Sequence, residues 1–87
     1  MNELETRQTL VDALEYAMVF KFRESGIRDD FLAGRADMTI EDLELDSLSG
    51  MELCIAIEAN TGVSVLPAEL LDIGTLQRLV ERIQSNE

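Results

Sequence analysis

Two serines, Ser47 and Ser49, stand where an acidic stretch meets an apolar one, in the segment LDSLSGME at residues 45–52. A serine hydroxyl can act as a nucleophile when a histidine base accepts its proton, but this chain contains no histidine. A serine here can instead cap a helix or accept a group that another enzyme transfers. The spacing of Ser49 and Glu52 is that of a capping box, and Asp46 or Ser47 could cap the same helix. Capping is therefore the simplest role for either serine.

The other residue types exclude most catalytic and metal sites. Transition-metal sites in proteins need histidine or several cysteines, and the chain has one cysteine, Cys54. Cys54 lies in an apolar stretch, where a thiol usually fills the core rather than reacts. The 18 acidic residues are scattered over the chain, without an isolated carboxylate pair for acid–base catalysis. We therefore expect that the protein is not an enzyme.

A calcium loop is the alternative reading of the acidic segment before the serines. Asp42, Glu44 and Asp46 fall at the first, third and fifth positions of a twelve-residue window. The sixth position requires glycine and holds Ser47, and the twelfth requires a bidentate glutamate and holds Leu53. The pattern argues against calcium, and we expect no metal site.

Acidic charge is concentrated in the middle of the chain. The formal net charge of the 87 residues is −11, and residues 36–77 contain nine acidic side chains and no basic one. Such a surface repels nucleic acids and anionic membranes and attracts basic proteins. No apolar stretch approaches the roughly 20 residues that cross a bilayer, and one cysteine permits no internal disulfide. We therefore expect a cytoplasmic, monomeric single domain over residues 1–87, with basic protein partners, no nucleic acid and no membrane insertion.

Apolar residues in the first part of the chain recur at helical spacing. Residues 2–26 predict one long amphipathic helix ending at Gly26, with a buried face made of Leu4, Val11, Leu14, Met18 and Phe22. Over residues 27–46 the periodicity fades, which predicts an ordered loop with one helical turn near Thr39. Five apolar residues of this loop are expected to reach the core: Phe31, Leu32, Ile40, Leu43 and Leu45.

Three further helices are predicted in the second half. Residues 47–60 form a helix that Gly62 ends, and this helix is too apolar for half of its circumference to face water. Pro67 suits the first turn of a brief helix that reaches Leu71, and Thr75 caps a final amphipathic helix. We therefore expect an all-α fold: a small four-helix bundle with three longer helices, one short helix and a long first loop.

Several short motifs follow one another in a recognisable order. The tripeptide DSL at residues 46–48 opens the predicted second helix and is followed by MEL at 51–53, IE at 57–58 and IGTLQRLVERI at 73–83. With the order of the helices, these motifs resemble the acyl carrier protein family over nearly the whole chain. The resemblance implies that a separate, magnesium-dependent transferase attaches phosphopantetheine from coenzyme A to Ser47, between Asp46 and Leu48. It also implies that acyl groups are carried as thioesters on the thiol of this arm.

The same resemblance predicts where partner enzymes bind. In the family, acyl-transfer and acyl-modifying enzymes dock basic patches on the second helix, which implies contacts at Asp46, Glu52, Ile55 and Glu58. The sequence departs from the family after the DSL motif. Ser49 stands where an acidic residue is common, and the next residue is a glycine, which costs a helix about 1 kcal/mol relative to alanine.

The sequence defines the cargo of such a carrier less closely than it defines the attachment site. The acidic residue before Ser47 and the acidic second helix favour an acyl carrier for fatty-acid, polyketide or related specialised lipid synthesis. Peptide-synthesis carriers commonly have a glycine-rich approach to their serine, and an aminoacyl or peptidyl carrier is the close alternative. An unmodified acidic adaptor, in which Ser47 only caps a helix, is the alternative from another class.

For an acyl carrier, the resemblance also implies where the cargo is held. The acyl chain is expected to fold back into the core among Leu53, Ile57, Val65 and Leu79.

Overall fold

A computed structural model of the protein describes residues 1–86, which form helices joined by short connections and one longer loop. Six α-helices follow one another within these residues: α1 (Glu3–Tyr16), α2 (Phe20–Ser25), α3 (Arg28–Leu32), α4 (Ser47–Thr61), α5 (Leu70–Ile73) and α6 (Leu76–Ser85). Two 3-10 turns, Glu41–Leu43 and Pro67–Glu69, precede α4 and α5. About 70% of the described residues are helical, and no strand is found among them. The predicted small all-α bundle is therefore confirmed.

The core is aliphatic and is organised around α1, which packs against α4, α6 and α3. Its largest fully buried side chains include Leu10, Leu14, Phe31, Leu43, Leu53, Ile57, Leu76, Leu79 and Ile83. Phe31 also meets the ring of Phe22 edge to face, with 6.1 Å between the ring centroids. Of the five loop residues expected in the core, Phe31, Ile40 and Leu43 are buried, and Leu32 and Leu45 are partly buried against it. That prediction is confirmed.

The predicted single first helix is wrong, because the chain breaks between α1 and α2. Met18 has a left-handed backbone with φ of 56°. The Met18 amide donates to the Glu15 carbonyl, and the Val19 amide donates to the Leu14 carbonyl, both at 3.0 Å. This pair of hydrogen bonds is a Schellman motif, which ends a helix and redirects the chain. Val19 is consequently buried in place of Met18, which is exposed, as is Leu4 near the start of α1.

The long first loop contains two helical turns rather than the one predicted. They are α3 and the 3-10 turn Glu41–Leu43. The predicted turn at Thr39 is confirmed, since the Thr39 hydroxyl accepts a hydrogen bond from the Asp42 amide at 3.1 Å. The loop is thereby held as an ordered support beneath the start of α4.

Arg7 is a buried charge that joins α1 to α3 and α6. Its guanidinium donates to the Phe31 carbonyl at 2.9 Å, lies over the Phe31 ring at 5.1 Å, and also donates to the side chain of Gln77. The sequence pattern had placed the charged residues of α1 on its solvent side. Arg7 is buried because, in addition to its ion pair with the nearby Glu3 at 3.2 Å, it bonds Phe31 and Gln77, which lie far along the chain.

The ends of the later helices agree with the sequence. Gly62 ends α4 with φ of 75°, Pro67 begins the short helical segment, and the Thr75 hydroxyl caps α6 by accepting from the Arg78 amide at 3.1 Å. The short segment runs to Ile73, two residues further than predicted. No helix within residues 1–86 has the length and apolar character needed to span a membrane.

One expectation about α4 is wrong. The helix packs mainly against α1 and the turn Pro67–Glu69, and this contact covers only one side of it. On the other side Leu48, Met51 and Ile55 are 64%, 51% and 55% exposed. The many apolar residues of α4 thus do not all serve the core, because no other element within residues 1–86 covers the outward face.

Candidate functional site

The amino terminus of α4 is closed by a reciprocal cap between Asp46 and Ser49. The Ser49 amide and the Ser49 hydroxyl donate to the Asp46 carboxylate at 2.7 Å and 2.9 Å. In return, the Asp46 amide donates to the Ser49 hydroxyl oxygen at 3.0 Å. These bonds form a capping box, and they use the hydroxyl of Ser49 as both donor and acceptor. The capping pair is therefore Asp46 with Ser49, rather than Ser49 with Glu52.

The cap also stabilises the ionised form of Asp46. Hydrogen bonds from the amide and hydroxyl of Ser49 stabilise the carboxylate and lower the pKa of Asp46 below its usual range. Asp46 is therefore an anion at neutral pH, directly before Ser47 in the chain.

Ser47 occupies the first position of α4 and differs from Ser49 in every respect that matters for modification. Its side chain is exposed, and it makes no hydrogen bond with any group in the described part of the chain. Asp46 already caps the helix, so Ser47 is not needed for that purpose. The Ser47 hydroxyl is thus available to a reagent that approaches from solvent.

A shallow depression of about 330 Å³ lies beside Ser47. The loop before α4 contributes Ile40, Glu41, Glu44 and Leu45 to it, and the segment after α4 contributes Pro67, Leu70 and Leu71. Gly50, one turn into α4, forms part of the floor. A flexible chain attached to the Ser47 hydroxyl therefore has both open solvent and an apolar surface within reach.

A groove of about 390 Å³ lies on another side of the α4 amino terminus. Met18, from the turn between α1 and α2, and Phe20, the first residue of α2, line it together with Leu48 of α4. This is a feature that the sequence analysis missed. The available signal was the uninterrupted apolar run YAMVF at residues 16–20, which is too long to lie on one face of a helix.

The residues predicted to contact partners lie on the outward face of α4. Glu52, Ile55 and Glu58 follow one another at intervals of three residues, which places them on one side of the helix. Glu58 and Ile55 are exposed and Glu52 is half-buried. Neither Glu52 nor Glu58 forms an ion pair with another residue of the described chain.

The four residues expected to surround an acyl chain lie together in the core. Leu53, Ile57, Val65 and Leu79 are all buried. Cys54 is buried beside them, and burial raises the pKa of its thiol. The predicted role of Cys54 as a core residue is therefore confirmed.

The comparison with known protein families agrees with this geometry. A family model described as a phosphopantetheine attachment site matches residues 26–83, which is 58 of the 87 residues. The chain therefore belongs to this phosphopantetheine-binding family. Such a domain is the site of covalent attachment of phosphopantetheine, so the predicted family and cofactor are confirmed. Searches of curated proteins and of solved structures returned no match to the chain.

The matched region begins after α2. It includes α3, α4, α5 and most of α6, and therefore the whole Asp46–Ser49 cap. Helices α1 and α2 lie outside it, although α1 provides a large part of the core around which the matched region folds.

Proposed function

We propose that the chain is an acyl carrier protein and that Ser47 is the residue to which phosphopantetheine is attached. The observation that carries the proposal is the division of roles between the two serines. The Ser49 hydroxyl is hydrogen-bonded within the helix cap. The Ser47 hydroxyl is exposed and makes no hydrogen bond within the described structure. The phosphopantetheine family assignment requires an acceptor, and Ser47 is the hydroxyl at this site that can serve without loss of the cap.

The surroundings of Ser47 fit a phosphodiester. The hydroxyl lies at the amino terminus of a 15-residue helix, where the positive end of the helix dipole favours a negative group by about 0.3 to 1 kcal/mol at an exposed site. The neighbouring depression leaves room for the attached chain. The negative charge of the adjacent Asp46 opposes a phosphodiester at Ser47. The hydrogen bonds from Ser49, however, hold the Asp46 carboxylate in the cap.

The role of the chain in loading is that of an acceptor. The Ser47 oxygen forms a bond to the phosphorus that bears the pantetheine of coenzyme A, and the pyrophosphate bond of coenzyme A breaks. Adenosine 3′,5′-bisphosphate leaves, and the proton of the hydroxyl passes to a base of the transferase. When bound, the arm supplies a terminal thiol on which acyl groups form thioesters. Because the transferase provides the base and the magnesium, this chain needs no histidine and no catalytic residue of its own.

The acidic outward face of α4 is proposed as the docking surface for the transferase and for acyl-transfer and acyl-modifying enzymes. Asp46, Glu52 and Glu58 provide negative charge and Ile55 provides an apolar contact. Opposite charges on the two partners speed their encounter and fix their orientation. Since Glu52 and Glu58 have no ion pair in the described chain, they can pair with basic residues of a partner without breaking an internal contact.

We also propose that residues 1–87 act as one cytoplasmic, monomeric carrier domain. The packing of α1 against α4 and α6 supports a single folding unit that extends beyond the region matched to the family. The acid before Ser47 and the acidic α4 favour acyl over aminoacyl or peptidyl cargo. Intact-mass measurement of the protein recovered from its native cell would identify the cargo directly.

Loading in vitro tests the assignment of Ser47. The protein is incubated with coenzyme A, magnesium and a broad-specificity phosphopantetheinyl transferase, and its intact mass is measured. We expect one phosphopantetheine on the wild type and on Ser49→Ala, and none on Ser47→Ala. Loading of Ser47→Ala would show that phosphopantetheine is attached to another residue. No loading of the wild type would favour the unmodified adaptor.

A further inference from the structure

The groove between the α1–α2 turn and α4 is lined by large apolar side chains that are exposed to solvent. Met18 and Phe20 are 66% and 57% exposed, and both line it beside the equally exposed Leu48. Met51 and Ile55 continue the apolar surface along α4, at three and seven residues from Leu48. Contiguous exposed apolar surface of this kind commonly marks a site of protein interaction.

The backbone of the groove reinforces this interpretation. Met18 and Glu44 are the two non-glycine residues with positive φ in the described chain, and both line the groove. A left-handed backbone disfavours any residue with a Cβ atom, so glycine would suit the turn at Met18 better. The Met18 side chain lies mostly in water and contributes little to the core. The fold alone therefore gives no reason for a methionine at this position.

Charges around the groove define the chemistry of its occupant. Glu44, Asp46 and Glu52 line it, and its single basic residue, Lys21, is paired with Glu44 at 3.2 Å. The groove is thus lined by apolar side chains and carries a net negative charge. Its complement is an apolar side chain flanked by arginine or lysine.

We propose that Met18 and Phe20, together with Leu48, form a second docking contact for the phosphopantetheinyl transferase. Leu48 is the residue after Ser47, so an enzyme that reaches the Ser47 hydroxyl must also cover the surface beside it. The inference rests on the proposed function and deepens it. It goes beyond the family assignment, because Met18 and Phe20 lie outside the matched residues 26–83.

Steady-state loading kinetics test this contact. The probe is a broad-specificity phosphopantetheinyl transferase with coenzyme A and magnesium, and the variants are Met18→Gly and Phe20→Ala. Removal of a central apolar contact typically weakens binding about tenfold. We therefore expect the double variant to show kcat/KM about tenfold lower, mainly through a higher KM. Complete loading is still expected after long incubation, since Ser47 is unchanged.

Two controls separate docking from folding. Leu4→Ala removes an exposed apolar side chain at the far end of α1, about 20 Å away by helix rise, and its kcat/KM is expected to match the wild type. Met18→Gly places glycine at a positive φ, so its Tm should be at least that of the wild type. Slower loading of the single variant Met18→Gly together with an undiminished Tm cannot then be attributed to unfolding.

The possible outcomes distinguish this inference from the proposed function. Unchanged kcat/KM in the double variant, with normal loading of the wild type, would overturn the docking contact and leave the role of Ser47 intact. An equal loss in Leu4→Ala would overturn it as well, because the effect would not be local to the groove. Failure of the wild type to load would overturn the proposed function and the docking contact together.

Discussion

Two glycines at opposite ends of α4, Gly50 and Gly62, allow a matched test of how this helix is built. For each glycine, an added Cβ atom would meet no atom within 4 Å, so replacement by alanine introduces no clash. The two sites differ in backbone conformation. Gly50 has an ordinary helical backbone, whereas Gly62 ends the helix with φ of 75°. Because the same substitution is made on the same helix, a difference in stability between the two variants reports the effect of backbone conformation alone.

We expect the two substitutions to have opposite effects on the free energy of unfolding. Gly50→Ala should stabilise the protein by about 1 kcal/mol, which is the difference in helix propensity between glycine and alanine. Gly62→Ala should destabilise it by about 1 to 2 kcal/mol, because alanine is strained at positive φ. In a domain of 60 to 100 residues, each kcal/mol shifts the Tm by about 4 to 8 °C. The two variants should therefore melt on opposite sides of the wild type.

Far-UV circular dichroism during thermal and urea unfolding gives both quantities. The urea m-values should be unchanged, since neither substitution alters the surface exposed on unfolding. Destabilisation by Gly50→Ala would refute the reasoning, because it would mean that the space beside residue 50 does not accept a methyl group. An unchanged Tm for Gly62→Ala would show that the left-handed cap is not required.

Two further predictions concern the acidic residues of the site. Reversal of Glu52 and Glu58 to lysine should lower the rate of loading and make it less sensitive to salt, because electrostatic steering is weakened; unchanged rates across a salt series would mean that these acids only aid solubility. The second concerns pH: the folded pKa of Asp46 is lowered, so its contribution to stability is present above the ordinary aspartate pKa and is lost as pH falls through the folded value. In urea unfolding, the stability difference between wild type and Asp46→Asn should be constant well above the ordinary aspartate pKa and should shrink as the pH is lowered below it. A difference that does not vary with pH would contradict the ionic role of Asp46.

The features that could be predicted from the sequence are those with local causes. Gly62 ends α4, Pro67 starts the short helical segment and Thr75 caps α6, as expected. Each of these effects involves residues within one helical turn, so a short window of sequence contains all the partners. The family motif around Ser47 is local in the same sense.

The features that could not be predicted depend on rare backbone choices or on distant partners. The break at Met18 was missed because this position in a Schellman motif is usually glycine, which the sequence does not have there. The burial of Arg7 was missed because two of its hydrogen-bond partners, Phe31 and Gln77, are 24 and 70 residues away. The exposed apolar face of α4 was missed because no pattern within the helix shows which neighbours will cover it.

The arrangement of the α4 cap has a consequence for the proposed carrier cycle. If Ser47 were the capping residue, attachment of a phosphodiester to its hydroxyl would alter the cap, and loading would change the stability of the helix. In this structure the cap is made by Asp46 and Ser49, on either side of Ser47. The hydroxyl between them can then be esterified while every bond of the cap is kept. Under the proposed function, the helix that partners bind therefore keeps the same capped start before and after loading.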